Sequence, residues 1–209
     1  MISGEHHEAI WEALPEGLEP SDFGLRRAFL LGEVAAGERV LDLGCGEGAF
    51  AAELARAGVE VVAADVAREP LRRAAARHPG LELALIEPHG PWHAFADNSF
   101  DVVWAGEVIE HVADTHAWLS ELRRVLRSGG RLLLSTPDHG RLRVARLAFS
   151  RGAFAGHFDP LGDHLRFYSA TSLSATLQSF GFERVQLRRV GGPPGARKTL
   201  LARAVRSRF

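Results

Sequence analysis

The residues best suited to moving a proton near neutral pH fall in two places. Glu110 and His111 are neighbours, while Asp138, His139, His157, Asp163 and His164 are spread over one later stretch. Histidine titrates closest to neutrality and is the commonest general base, so a hydroxyl-bearing substrate would lose its proton to one of these positions. Each histidine has a plainer alternative role in packing or at the surface. Their spacing matches no tight metal-ligand motif, so no metal is expected. The single cysteine, Cys45, has no base beside it and reads as a small loop residue rather than a nucleophile.

The other source of chemistry is the stretch VLDLGCGEGAF, residues 40–50. Gly44, Gly46 and Gly48 alternate with other residues directly after an apolar run. Glycine there admits unusual backbone angles and lets a ligand approach the main chain. A following helix points unpaired N–H groups at the same place. Asp65 closes the next apolar run, VVAAD, nineteen residues after Gly46 (65 − 46). From such a strand end an acid accepts ribose hydroxyls, so a nucleoside-containing ligand follows. Dinucleotide loops are spaced G-x-G-x-x-G. Here the spacing is G-x-G-x-G, and Asp42 would repel a pyrophosphate but suits an ammonium. A tight strand-to-helix turn without a ligand is the plainer alternative.

These residues need elements to hold them. Short apolar runs at Val40–Leu43, Val59–Ala64, Leu81–Ile86, Val102–Ala105 and Leu132–Ser135 alternate with helical stretches. Ala49–Ala57 is rich in Ala, Leu and Glu, and Pro70–His78 starts with a proline. Asp114 is placed to cap a helix whose Trp118, Leu119, Leu122, Val125 and Leu126 share one face. Gly129-Gly130 is expected to stop it. Alternating strands and helices predict an α/β fold, a parallel sheet with helices on both faces. Ligands of such sheets lie beyond the carboxyl ends of the strands. The chain ends differently, with a helix over Thr171–Phe180 and two strands, Phe182–Val190 and Thr199–Arg206, that predict an antiparallel hairpin. Residues 1–32 read as two helices, the second capped by Ser21 or Asp22. The apolar positions Ile10, Trp11 and Leu14 would cover the site or form a dimer contact.

With 209 residues and a net charge of −1, the chain suits one domain, residues 1–209, with an ordinary core. One cysteine fits a reducing compartment. No apolar run approaches the ~20 residues of a membrane span, and the start lacks the layout of a signal peptide. A cytoplasmic protein is expected, as monomer or homodimer. Residues 183–209 hold eight Arg or Lys and one Glu. They read as the solvated face of a hairpin, or as a surface for an anionic membrane, nucleic acid or acidic substrate. Aromatic residues are not interleaved among them, which argues against single-stranded nucleic acid.

The glycine stretch resembles motif I of the class I S-adenosylmethionine-dependent methyltransferases. The likeness extends through DNSFDVV (97–103), VIEHV (108–112) and LRRVLRSGG (122–130), where the family often has proline at the place of Ser128. It is strong over residues 39–137 and weaker through Phe167-Tyr168-Ser169 and Gly181-Phe182. The nearest likeness is to the small-molecule branch of quinone-biosynthesis and natural-product methyltransferases. The resemblance implies a Rossmann-like seven-stranded sheet, order 3-2-1-4-5-7-6, with strand 7 antiparallel. It implies transfer of the methyl group of S-adenosylmethionine to an O, N or C atom of a small-molecule acceptor, leaving S-adenosylhomocysteine.

On that resemblance the cofactor would meet Asp42, Gly44, Cys45, Gly46 and Gly48 at the first loop. Asp65 and Val66 would serve at the second strand end. Ala105, Gly106 and Glu107 would lie under the methionine part. Glu107 reads equally as a helix-start acid. The acid that meets adenine falls on Glu87 or His89, depending on the direction of counting, in a loop that also holds Trp92. Residues 138–166 would form an acceptor-facing lid, with Phe149, Phe154, Phe158 and Phe167 as an apolar wall. His111 is the first choice of base, then His164 and His139. The rivals are an NAD-linked oxidoreductase on a related sheet and a cofactor-binding partner protein without transfer activity.

Overall fold

The computed structural model describes residues 4–88, 90–160, 162–193 and 197–208. Two helices, α1 (Gly4–Ala13) and α2 (Phe23–Leu31), precede the sheet. Then β1 (Arg39–Leu43), α3 (Ala49–Arg56), β2 (Glu60–Asp65), α4 (Arg68–Arg77) and β3 (Glu82–Leu85) follow in alternation. The second half holds β4 (Phe100–Gly106), α5 (Thr115–Val125) and β5 (Leu126–Pro137). A helical hairpin, α6 (Arg141–Ala148) and α7 (Arg151–His157), comes before α8 (Ala170–Ser179), β6 (Phe182–Val190) and β7 (Thr199–Arg206).

The sheet has seven strands in the order β3-β2-β1-β4-β5-β7-β6. The first five are parallel, and β7 runs antiparallel to both β5 and β6. This is the Rossmann-like order that the family resemblance implied. Parallel strands covered on both faces are apolar at every position, because alternate side chains enter opposite cores. Leu41 and Leu43 join Trp118, Leu122, Leu173 and Leu177 under α5 and α8. Val40 joins Phe29, Leu30, Phe50 and Leu54 under α2 and α3. Asp42, on the same side as Val40, is therefore driven into that second core.

Local signals were read correctly where one residue satisfies its own helix. Asp114 accepts from the Ala117 N–H at 2.9 Å. Two caps differ. Gly129-Gly130 do not stop α5, which ends where Leu126 turns extended and β5 begins. Gly129 takes a φ of +77° inside that strand. A side chain at Gly130 would stand 2.8 Å from the Arg127 carbonyl and 3.1 Å from that of Asp101. Asp22 precedes α2 in a left-handed conformation without capping it. Its carboxylate accepts from the Thr199 hydroxyl at 2.9 Å instead. Among the described residues no helix is long and apolar enough to cross a membrane.

Candidate functional site

A cavity of about 280 Å³ opens at the carboxyl ends of β1, β2 and β4, with Gly44, Asp65 and Glu107 on its floor. The loop after β1 is held by its backbone. The Gly44 and Cys45 N–H groups donate to the Ala64 carbonyl at 2.8 and 3.0 Å. Gly44, Gly46 and Gly48 all have positive φ, which glycine tolerates without strain. A side chain on Gly46 would also meet the Trp11 ring at 2.9 Å. The Asp65 carboxylate accepts from the Gly46 and Ala67 N–H groups, each at 3.0 Å, so it braces the loop that it faces. Burial raises its pKa. One bond on each oxygen leaves further lone pairs for ligand hydroxyls.

The roof is α1 with the residue that follows it, where Ile10, Trp11 and Leu14 line the cavity. It is docked by polar contacts rather than by burial, since α1 has no buried residue. Glu8 accepts from the Arg68 and Glu69 N–H groups at 2.5 and 3.0 Å, capping α4 from another element. Arg73 donates to the carbonyls of Trp11 and Leu14 at 2.8 and 3.0 Å and to Glu47 at 3.2 Å. Glu47 belongs to the glycine stretch, so one buried arginine ties roof to loop.

The wall after β3 is Ile86, Pro88 and Trp92. Glu87 is exposed and does not line the cavity, and its carbonyl accepts the Trp92 indole N–H at 2.9 Å. His89, the other expected adenine contact, lies outside the described residues. Arg124 pins this loop through the carbonyls of Phe95 and Trp92, at 2.8 and 3.1 Å.

The far end holds the acids and histidines. Glu107 has a φ of +59°, a strain of about 1–3 kcal/mol of the kind that clusters at functional sites. Its Oε1 is buried without a partner among the described residues. Behind it lies Arg26, 3% exposed, with its guanidinium over the Phe50 ring at 4.8 Å. Burial lowers the Arg26 pKa, against the pull of Glu107, Glu110, Asp42 and Asp22. Sequence reading missed Arg26. The available signal was a charge inside the apolar run FGLRRAFLL. Arg26 also explains Gly106, where a side chain would collide with the guanidinium. Gly106 is thus small for an internal arginine, and neither it nor Ala105 lines the cavity.

Asp42 does not line the cavity either. It is 1% exposed, accepts from the Ala51 N–H, and is pushed up to about 7 by burial. Cys45 is buried, and burial pushes its thiol up, so it is no nucleophile. Gly46 and Gly48 shape the loop from behind, and Gly48 caps α3. Val66 lines the cavity.

His111 lines the cavity, and its Nδ1 lies 3.0 Å from the Asp163 carbonyl. A carbonyl only accepts, so Nδ1 carries the proton and Nε2 keeps its lone pair. Burial, then His164, lowers the His111 pKa. His164 packs edge-on to His111, ring centroids 4.8 Å apart. His164 borders a second cavity, of about 320 Å³, with Arg143, His157, Asp163 and Phe167. Asp163 is shared by both cavities. His139 does not reach the first cavity. Its ring packs 5.0 Å from both His157 and Phe167, and burial depresses its pKa to about 4.

Glu110 is fully buried and accepts from the Thr136 hydroxyl at 2.9 Å. Burial, then Glu107, pushes it up to about 8. Its carbonyl accepts from the Leu165 and Arg166 N–H groups at 2.8 and 3.0 Å, which brings His164 to His111. One ligand atom from each of Glu110, His111 and His164 lies within 4.8 Å of the others. Sequence spacing hid this trio because His164 arrives from a distant loop. It can share a proton or take a divalent cation.

Known proteins give the same picture. Residues 19–187 match a family model described as a methyltransferase domain. A ubiquinone biosynthesis O-methyltransferase of Ruegeria sp. strain TM1040 is 36% identical over 154 residues, 72% of this chain and 62% of that protein. The match therefore spans less than two thirds of that relative. Phosphoethanolamine N-methyltransferase 2 of Haemonchus contortus, in complex with S-adenosyl-L-methionine, superposes with a TM-score of 0.71 at 17% identity over 98% of this chain and 57% of that one. The 1,6-didemethyltoxoflavin N1-methyltransferase of Burkholderia thailandensis, with bound S-adenosylhomocysteine, gives 0.67 at 18% identity over 88% and 77%. At such identities the structures speak for the fold. The family model, covering most of the length and both halves of the sheet, places the chain in the methyltransferase domain family.

Proposed function

We propose that this protein transfers the methyl group of S-adenosylmethionine to an O, N or C atom of a small-molecule acceptor. The observation that carries the reading is Asp65, a buried carboxylate at the end of β2 that faces the cavity beside the bare backbone of Gly44. The donor set fits the cofactor. Asp65 would take the ribose hydroxyls, and the apolar wall of Ile86, Pro88 and Trp92 suits adenine. Glu107, whose Oε1 is buried without a partner among the described residues, suits the ammonium. Arg26 sets a buried positive charge behind Glu107, which makes it a positioning residue.

When bound, the cofactor supplies a methyl group already activated by the sulfonium. The protein then has to orient the acceptor and exclude water, a contribution worth up to ~7–11 kcal/mol in favourable cases. α1 closes the cavity from above. His111, neutral and with its Nε2 lone pair free of the Asp163 bond, is placed to take a proton from a hydroxyl acceptor. The second cavity, beyond the His111–His164 pair, is the acceptor's side, and residues 138–166 form its lid. The names of the relatives support a small molecule there. The lone buried Cys45 thiol is in keeping with action in the cytoplasm.

Calorimetric titration with S-adenosylhomocysteine and with NADH tests the reading. Binding of the first alone, lost in Asp65→Ala with the fold checked by thermal melting, is the expected result. Preference for NADH, or no binding of either, would sink it. Turnover with a panel of hydroxyl, amine and carbon acceptors then separates an enzyme from a partner protein that only binds.

A further inference from the structure

Five ionisable residues line the cavity under α1: His7, Asp65, Glu107, His111 and Asp163. Four have a role in the proposed reaction. Asp65 faces ribose, Glu107 the ammonium, and His111 the acceptor's proton, while the Asp163 carbonyl fixes the His111 ring. His7 has no role in it.

His7 reaches the cavity from the roof. Within α1, Glu5, His6, Ala9, Glu12 and Ala13 are exposed, whereas His7, Ile10 and Trp11 are half-buried. The spacing i, i+3, i+4 puts these three on one helix face, and Leu14, just beyond the helix, continues it along the cavity. This stripe is apolar except at its first position. An imidazole where the pattern calls for an apolar side chain, on a face that lines a cavity, is the kind of local mismatch found at functional positions. The helix is also set in place on either side of His7. Glu8 is seated on the N–H groups of Arg68 and Glu69. Gly4 lies against β2's end, where a side chain on it would stand 3.3 Å from the Val66 carbonyl. His7 is within electrostatic reach of the base, since the His111 pKa is lowered by burial, by His164 and, less strongly, by His7.

We propose that His7 is an acceptor-binding residue supplied by the roof, its imidazole hydrogen-bonding a polar group of the acceptor while His111 takes the proton. The acceptor site is then complete only with α1 docked, so closing the roof against water and assembling the site are one event. The inference rests on the reading of this cavity as a methyl-transfer site and adds to it a residue of the N-terminal helix.

The test uses 4-nitrophenol as probe, a small hydroxyl compound whose phenolate is coloured. The full chain is titrated with it, with and without saturating S-adenosylhomocysteine, as wild type, His7→Phe and His7→Gln. Phenylalanine keeps a ring on the stripe but has no hydrogen-bonding atom, and glutamine restores one. His7→Phe should bind the probe about tenfold more weakly, the loss of one hydrogen bond. It should keep the wild-type affinity for S-adenosylhomocysteine and the wild-type melting temperature. His7→Gln should recover most of the probe affinity. Equal probe affinity in wild type and His7→Phe, or no recovery in His7→Gln, overturns the proposal. So does a wild type that binds no probe in either state. An equal fall in S-adenosylhomocysteine affinity overturns it too, because His7 would then serve the roof or the cofactor. A wild type that binds the probe through His7 but not S-adenosylhomocysteine upholds His7 and fails the cofactor reading, so the two are told apart.

Discussion

At the scale of single residues, the decisive groups are those whose surroundings set their charge. His111 is held neutral by burial, and its Nδ1 bond leaves Nε2 as the working atom. His111→Gln should lower kcat for a hydroxyl acceptor by about 10²–10⁴ with little change in KM, measured as initial rates. Because the base must be unprotonated and its pKa lies below the ordinary value, the wild-type rate should stay level through pH 7. It should fall only on the acid side of the usual histidine range. Chelator-treated enzyme should keep its rate if Glu110, His111 and His164 share a proton. Loss of activity restored by magnesium would assign the trio to a cation. Arg26→Met keeps much of the apolar packing but removes the charge behind Glu107. S-adenosylhomocysteine binding, read by calorimetry, should weaken about tenfold or more, in line with ~1.5–3 kcal/mol for contacts with charged groups.

At the scale of elements, α1 is the least anchored part of the site. It carries no buried residue and is held by Glu8 at the start of α4 and by Arg73 at its own end. Removing a helix cap costs ~1 kcal/mol. Glu8→Ala should therefore raise amide exchange across residues 4–14 several-fold while the sheet stays protected. The same variant should speed ligand dissociation, since Trp11 lies over the glycine loop. Unchanged exchange in α1 would mean that its docking rests on Arg73 alone.

At the scale of the whole molecule, stability should depend on pH in an unusual direction. Asp42 at about 7 and Glu110 at about 8 hold protons that the unfolded chain, with ordinary carboxyl pKa values, has already released. Folded protein thus binds more protons than unfolded protein, and stability falls as pH rises. The depressed histidines His111 and His139 work in the opposite sense, but only below their unfolded value near 6.5. Above it the raised acids, Asp42 and Glu110 with Asp65 in the same sense, are no longer opposed by these histidines. The melting temperature of the ligand-free protein should drop between about pH 6.5 and 8.5, and Glu110→Gln should flatten that slope. A melting curve independent of pH across that window would refute the assignment.

Much of this protein is legible without a fold. Strands buried on both faces must be apolar at every position, so β1, β2, β4 and β5 announced themselves as short continuous runs. The loop of Gly44, Gly46 and Gly48 and the acid Asp65 were readable because backbone angles and strand ends are local matters. The same holds for the terminal hairpin of β6 and β7. Other features depended on which elements became neighbours. Asp42 turned into the core under α3 because strand alternation assigned it to that face. Gly106 is small for Arg26, eighty residues earlier (106 − 26), and not for a ligand. Glu8 caps a helix 60 residues away. His164 meets His111 because the Glu110 carbonyl holds the backbone at Leu165 and Arg166. Sequence pattern governs the conformation of a few adjacent residues, whereas contacts between distant ones arise only when the sheet order and the helix packing bring their side chains together.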